Sequence, residues 1–177
     1  TGFFGQLAGM PIAAGNLFIG SFDVNNASSN PLKATKFGLP FRYVPTYLAG
    51  YYKYKAGDQF TEGGKPVNGK RDICDIYAIM YETSESVPTL DGTNAFTSPN
   101  LVSIARIDDA KETDEWTYFK LPFHMLSGKY IDKEKLTAGK YNVAIGFTSS
   151  LEGDHFNGAI GSTLLIDEVE LIYRSED

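Results

Sequence analysis

Cysteine is almost absent from this chain of 177 residues, since Cys74 is the only one. No intramolecular disulfide can form, and no metal centre can be built from several thiolates. Cys74 lies in the apolar-rich run DICDIYAIMY, a setting typical of a buried structural thiol. A catalytic cysteine needs a base beside it, and the chain has only two histidines, His124 and His155. We therefore interpret Cys74 as structural.

Clustered positive charge and long apolar segments are also missing. The formal net charge is −6, and no basic run exceeds two residues. Nucleic acids and anionic membranes bind clustered lysine and arginine, so neither is an expected partner. No apolar run reaches the length of about 18 residues that a membrane-spanning helix needs.

Three common catalytic motifs are absent as well. The chain contains no GxxxxGK[ST], no HExxH and no GxSxG segment. These absences argue against a P-loop nucleotide site, a zincin-type zinc centre and the serine elbow of an α/β-hydrolase.

Aromatic residues, by contrast, make up 14% of the chain, and they lie in runs rich in β-forming residues. Turn signals separate these runs, a pattern typical of a β-sandwich or jelly roll. One short helix is predicted, with Asp132 as its N-cap and Gly139 as its stop. The predicted strands are NLFIGSFDV, FRYVPTYLAGYYKYKAG, DICDIYAIMYE, LVSIARI, WTYFKLPF, KYNVAIGFTSS and STLLIDEVELIYR.

Strand alternation assigns the aromatic side chains to faces. Tyr51 and Lys53 share one face of YYKYK, and Trp116 and Tyr118 share one face of WTYFKL. Sugar rings stack on aromatic faces while nearby polar groups bond the hydroxyls. We therefore predict a carbohydrate-binding surface made by Arg42, Tyr51, Lys53, Trp116 and Tyr118. The alternative for each tyrosine is burial in the core.

The loop SSLEGDHFNGAIGS, before the last predicted strand, is rich in glycine, serine and carboxylates. In LLIDEVELIY, Asp167 shares a face with Leu165 and Val169, so we expect a carboxylate that points toward the core and needs a partner there. Our first interpretation is a structural lock on the last strand, with the loop serines near Asp167. The second is a structural Ca²⁺ bound by Asp23, Asp154 and Asp167, because calcium takes oxygen ligands from loops.

Glycosidase chemistry needs two carboxyl groups across a cleft, about 5–9.5 Å apart. The candidate pair is Asp75 with either Asp154 or Glu168, because Asp75 is flanked by apolar residues in a predicted strand. The segment ETDEW begins like the ExDxxE motif of jelly-roll glucanases, but Thr117 stands where that motif has its last glutamate. We interpret the segment as a turn. The catalytic residues therefore remain unknown.

Several long motifs resemble one known family. LAGYYKYKAGD, CDIYAIMYE, WTYFKLPF and SSLEGDHFNGAIGSTLLIDEVELIY are similar in order and spacing to the putative carbohydrate metabolism domain family. Ala56 departs from the proline expected there. The resemblance implies a galactose-binding-like jelly-roll β-sandwich of two antiparallel sheets, in secreted or surface lipoproteins of Gram-negative gut bacteria.

Taken together, these observations predict a single domain over residues 1–177, the C-terminal part of a longer secreted protein at the cell surface. We expect a non-catalytic module that binds polysaccharide or oligosaccharide in a glycan-utilisation system. A glycoside hydrolase and a structural or adhesive surface domain are the alternatives. The oligomeric state is not predicted.

Overall fold

The computed structural model describes residues 10–25, 27 and 29–174. Strands make up 47% and helices 7% of the structure, which confirms the prediction of an all-β chain. The largest sheet has six antiparallel strands in the order β1-β12-β8-β9-β11, with β4 also paired to β12. Its strands are β1 (Asn16–Phe18), β4 (Leu39–Pro40), β8 (Asp75–Glu82), β9 (Leu101–Arg106), β11 (His124–Met125) and β12 (Tyr141–Thr148).

A second antiparallel sheet has three long strands in the order β10-β5-β14. Two small sheets, β13-β6-β7 and β2-β3, are additions to the two-sheet arrangement expected from the sequence. The remaining strands are β2 (Gly20–Phe22), β3 (Thr35–Phe37), β5 (Val44–Lys55), β6 (Phe60–Glu62), β7 (Lys65–Pro66), β10 (Thr113–Pro122), β13 (Gly158–Ala159) and β14 (Thr163–Arg174).

Helical structure is confined to short segments. These are α1 (Pro31–Ala34), α2 (Lys133–Thr137) and a 3₁₀ turn (Gly153–His155). The helix predicted from its caps is confirmed: Asp132 Oδ1 accepts a hydrogen bond from Lys135 N at 2.9 Å, and Gly139 follows α2 with φ of 69°. Within the described ranges, no helix is long and apolar enough to cross a membrane.

The main core fills the space between the two large sheets. One face of β12, made of Tyr141, Val143, Ile145 and Phe147, is buried there. Tyr52 and Tyr54 of β5 meet it from the other sheet, which confirms that Tyr51 and Lys53 share the opposite face of that strand. Burial of each such large side chain contributes about 1.5–3 kcal/mol.

The opposite face of the six-stranded sheet is buried too, under a second cluster that includes Phe37, Tyr77 and Tyr81. The small alternate residues of β12 make room for these rings, because a Cβ on Gly146 would lie 2.3 Å from Tyr77 Cζ. This second buried layer explains why β8 is buried along almost its whole length.

Two local predictions are wrong. All of ETDEW except Glu112 lies in strand β10 rather than in a turn. The predicted inward side of β14 is also reversed: Leu165, Val169 and Asp167 are exposed, while Leu164 and Ile166 pack on the core. A β-bulge between Asp167 and Glu170 then shifts the alternation by one residue, so that Leu171 faces the core again.

Candidate functional site

A cavity of about 430 Å³ lies on the outer side of the six-stranded sheet. Its floor includes Asp75 and Tyr77 of β8 and Arg106 of β9. Asp75 and Tyr77 share a strand face because they are two residues apart, and Tyr77 pairs in register with Arg106. Its walls include Phe22, Phe96 and Phe156. The volume falls within the range of about 300–1,000 Å³ that is usual for small-molecule sites.

The polar centre of this cavity is an ion pair. Arg106 Nε donates to Asp75 Oδ1 and Oδ2 at 3.0 and 3.1 Å, and Arg106 Nη2 donates to Oδ2 at 2.7 Å. The Asp75 side chain is 4% exposed and that of Arg106 is 37% exposed. Burial raises the pKa of the Asp75 carboxyl, while the hydrogen bonds and charge of Arg106 oppose that rise.

Flat groups stack beside this pair. The Arg106 guanidinium carbon lies 4.1 Å from the centroid of the Phe96 ring, and the Phe96 and Tyr77 rings meet edge-on at 4.8 Å. Tyr77 is only 5% exposed, and no hydrogen bond to a residue that the structure describes contributes to the pKa of its hydroxyl. Burial raises the pKa of Tyr77 well above its usual range, so the hydroxyl keeps its proton and is available to donate.

The loop between β12 and β14 forms one rim of the cavity. Asp154 and Phe156 line it there, and Asp154 Oδ1 lies 2.7 Å from His155 Nδ1. The negative charge of Asp154 adds to the rise in the pKa of Asp75. Phe156 has φ of 58°, a left-handed conformation that is uncommon for a bulky residue and often occurs at functional sites.

Asp72 holds this loop in place. Its Oδ2 accepts hydrogen bonds from Ser150 Oγ at 2.7 Å, Ala159 N at 2.8 Å and Ser162 Oγ at 2.6 Å. Its Oδ1 accepts from Ile73 N at 2.9 Å, and the residue is 3% exposed. The predicted structural lock therefore exists, but its carboxylate is Asp72 and not Asp167.

The predicted surface residues come together on the outer face of the three-stranded sheet, with one exception. Tyr51 and Tyr118 are register partners with ring centroids 5.3 Å apart, and Lys53 Nζ lies 5.1 Å from the Trp116 ring. Trp116 and Tyr118 are 45% and 54% exposed. A purely structural domain is expected to bury all the tyrosines of this face. They are not all buried here.

Arg42 is the exception. It precedes β5 at the end opposite Tyr51, where its side chain lies beside Gly139. Arg42 therefore does not share the surface of the other four residues.

The three aspartates of the predicted calcium site are not brought together. Asp167 lies on the three-stranded sheet, where its Oδ1 accepts from Glu168 N, and Asp154 lies at the cavity rim on the other sheet. Asp23 Oδ1 accepts from Asn25 N at the end of β2. Among residues 10–25, 27 and 29–174, no three His, Cys, Asp or Glu side chains form a group that could hold a metal ion.

The structure brings together one of the two predicted glycosidase pairs and separates the other. Asp75 and Asp154 line the same cavity, but Glu168 lies in β14 of the other sheet, so Asp75 and Glu168 do not form a pair. Glu112, just before β10, is bound by Arg71 Nη2 at 2.6 Å and by Ala56 N at 2.9 Å. These contacts lower the pKa of Glu112 and hold its side chain in place. We therefore interpret Glu112 as a structural residue.

Sequence reasoning did not identify Arg106, Tyr77, Phe96 or Asp72. One signal was present for Tyr77, because alternation in DIYAIMY places it on the face of Asp75. Arg106 is the last residue of β9, and its approach to Asp75 depends on the pairing of β8 with β9, which sequence periodicity does not specify.

The structure thus defines a class: an all-β sandwich domain with a polar, ring-lined cavity on one sheet and exposed aromatic residues on the other. The chain belongs to the family described as "Putative carbohydrate metabolism domain", whose model matches residues 1–172. The resemblance found in the sequence motifs is therefore confirmed.

Two solved structures are similar to the chain. A protein named a putative glycoside hydrolase from Bacteroides thetaiotaomicron is 95% identical with a TM-score of 0.97, and the match covers 99% of this chain and 51% of that one. Another protein of the same name from Bacteroides vulgatus is 52% identical with a TM-score of 0.92, over 98% of this chain and 70% of that one. This chain thus spans about half of the first protein. A search of curated proteins found no significant match.

Proposed function

We propose that this domain binds carbohydrate without cleaving it, and that the cavity at Asp75 and Arg106 holds one sugar unit. The observation that carries the proposal is the cavity itself, which combines a half-buried ion pair with aromatic walls. Sites for small polar ligands are mostly apolar hollows with a few convergent polar groups.

The chemistry of the cavity suits a polyhydroxylated ring. Sugar hydroxyls both donate and accept hydrogen bonds, so they can bond the Asp75 carboxylate and the Arg106 guanidinium together. Phe96 offers an apolar surface next to Arg106, and the Tyr77 hydroxyl offers one more donor. Family membership and the name of the two similar proteins support a role in carbohydrate metabolism.

The way in which the carboxylates are held supports binding without cleavage. Both oxygens of Asp75 accept hydrogen bonds from Arg106, which keeps the carboxylate from acting freely as an acid or a nucleophile. Asp154 Oδ1 lies 2.7 Å from His155 Nδ1, so one oxygen of this second carboxylate is already engaged by a neighbouring side chain. The setting that we propose is a galactose-binding-like jelly-roll module of a secreted or surface glycan-utilisation protein.

The test is calorimetric titration of the domain with a panel of plant and host oligosaccharides, with and without calcium, while reducing ends are measured in the same samples. We expect saturable binding, with no release of reducing ends and no dependence on calcium. Tyr77→Phe removes only a hydroxyl, and a neutral hydrogen bond is worth about 0.5–1.5 kcal/mol. Affinity should therefore fall roughly two- to tenfold, with an unchanged melting temperature.

Tyr130→Phe is the matched control, because Tyr130 is 72% exposed and lines a different cleft. It should bind like the wild type. No heat across the whole panel, or equal affinity in Tyr77→Phe and the wild type, would contradict the proposed site.

A glycoside hydrolase is the second candidate, favoured by one observation. Asp75 and Asp154 line the same cavity, and the raised pKa of Asp75 is a property of general acids in glycosidases. For this candidate we expect reducing ends to accumulate with time. Asp75→Asn and Asp154→Asn should each abolish that release while sugar binding persists.

A further inference from the structure

The outer face of the three-stranded sheet is separated from the cavity by the whole sandwich. The register of β10, β5 and β14 places its side chains in rows. One row holds Tyr118, Tyr51 and Asp167, and the row two residues along holds Lys120, Ala49 and Glu170. Rows two residues apart on a strand are about 6.8 Å apart.

Exposed rings run along the β10 and β5 side of this face. Trp116 and Tyr118 lie two residues apart on β10, and Tyr51 contacts Tyr118. Tyr47 lies further along β5 and is 37% exposed. The rings therefore form an elongated strip that follows the strands, as a linear chain of sugar rings would require.

Two lysines accompany the rings. Lys53 Nζ lies 5.1 Å from the Trp116 ring and Lys120 Nζ lies 4.5 Å from the Tyr47 ring. Neither lysine forms an ion pair with any residue that the structure describes. Asp167 and Glu170, the carboxylates in these rows, belong to β14. Asp114 and Glu115 are also exposed on β10 beside Trp116. The groups that this side offers to an anionic ligand are therefore the two lysines, Lys53 and Lys120, each held beside an aromatic ring.

We propose that this strip is a second glycan site, which binds a linear polysaccharide bearing carboxylates. The rings stack on the sugar faces, and Lys53 and Lys120 pair with uronate groups. This site is independent of the cavity, because the two lie on opposite sides of the molecule.

Affinity electrophoresis tests the strip with polygalacturonate and with the same polymer fully methyl-esterified, which has lost its charge. We expect polygalacturonate to retard the domain and the ester to have little effect. Trp116→Ala should weaken the binding at least tenfold, and Lys53→Met and Lys120→Met should each weaken it several-fold and reduce its salt dependence.

Tyr130→Ala and Lys133→Met are matched surface controls, and both should migrate like the wild type. Tyr77→Phe should also be retarded normally, which separates this site from the cavity. The proposal is overturned if polygalacturonate causes no retardation, if both polymers retard equally, or if Trp116→Ala leaves the retardation unchanged in a protein with a wild-type melting curve. Loss of retardation in Tyr77→Phe would assign the polymer to the cavity and overturn it too.

Discussion

At the scale of single residues, Asp72 anchors the loop that rims the cavity. One buried carboxylate accepts hydrogen bonds from Ile73, Ser150, Ala159 and Ser162, so it joins the segment before β8 to both ends of the loop that rims the cavity. Ser162 Oγ extends this network, because it accepts from Gly57 N at 3.0 Å. The orientation of Asp154 and Phe156 toward the cavity depends on this anchoring.

Asp72→Ala should lower the free energy of unfolding by roughly 3 kcal/mol or more, because it leaves several buried donors without an acceptor. Asp72→Asn should cost less, because the amide oxygen can still face the serines. Urea denaturation measures both. Asp109→Asn is the control: this side chain is 74% exposed and pairs with Lys111, so its loss should change stability by less than about 1 kcal/mol. Equal effects of Asp72→Ala and Asp109→Asn would contradict the role of Asp72.

Cys74 is a second residue whose setting has a measurable consequence. It is buried in the main core, which confirms the structural interpretation of the thiol. Burial, with a smaller contribution from the charge of Asp75, raises the pKa of Cys74 to about 12. Because the thiolate is the reactive form, the native protein should resist iodoacetamide from pH 7 to 10 and react fully once unfolded in urea. Mass spectrometry reads this out, and rapid native labelling at pH 8 would show that the thiol is exposed.

At the scale of elements, β14 shows why alternation alone misassigned a face. The bulge at Asp167 and Glu170 adds one residue on β14 against β5, and Glu168 has φ of 48°. A period-two pattern cannot reveal an inserted residue, so Leu165 was assigned inward although it is 50% exposed. β12, which pairs with β8 without a register shift, was predicted correctly as a strand.

Glu168→Gly should raise the free energy of unfolding by about 0.5–1 kcal/mol, because glycine adopts positive φ without the strain that a side chain brings. Glu170→Gly, two residues along in extended backbone, is the matched control. It should lower stability by about 0.5–1 kcal/mol, since glycine loses more conformational freedom in a strand. Thermal and urea melts of the two variants should thus move in opposite directions. A loss of stability in Glu168→Gly would show that the bulge is held by the glutamate side chain.

At the scale of the whole molecule, the chain presents two different faces. Its all-β class and the exposed aromatic strip were predictable because strand periodicity decides which side chains point outward. The cavity was not, because it depends on long-range pairing of β8 with β9 and on the segments that cover them. Phe22, Phe96 and Phe156 come from three separate parts of the chain, and no local pattern brings them together.

The most direct test of the central claim is a crystal structure of the domain with the oligosaccharide that gives the tightest binding. We expect one intact sugar unit in the cavity, packed against Phe96 and hydrogen-bonded to the Asp75–Arg106 pair and to the Tyr77 hydroxyl. A cleaved product there would establish the hydrolase instead. A sugar bound elsewhere, with the cavity empty, would show that the Asp75–Arg106 pair only stabilises the fold.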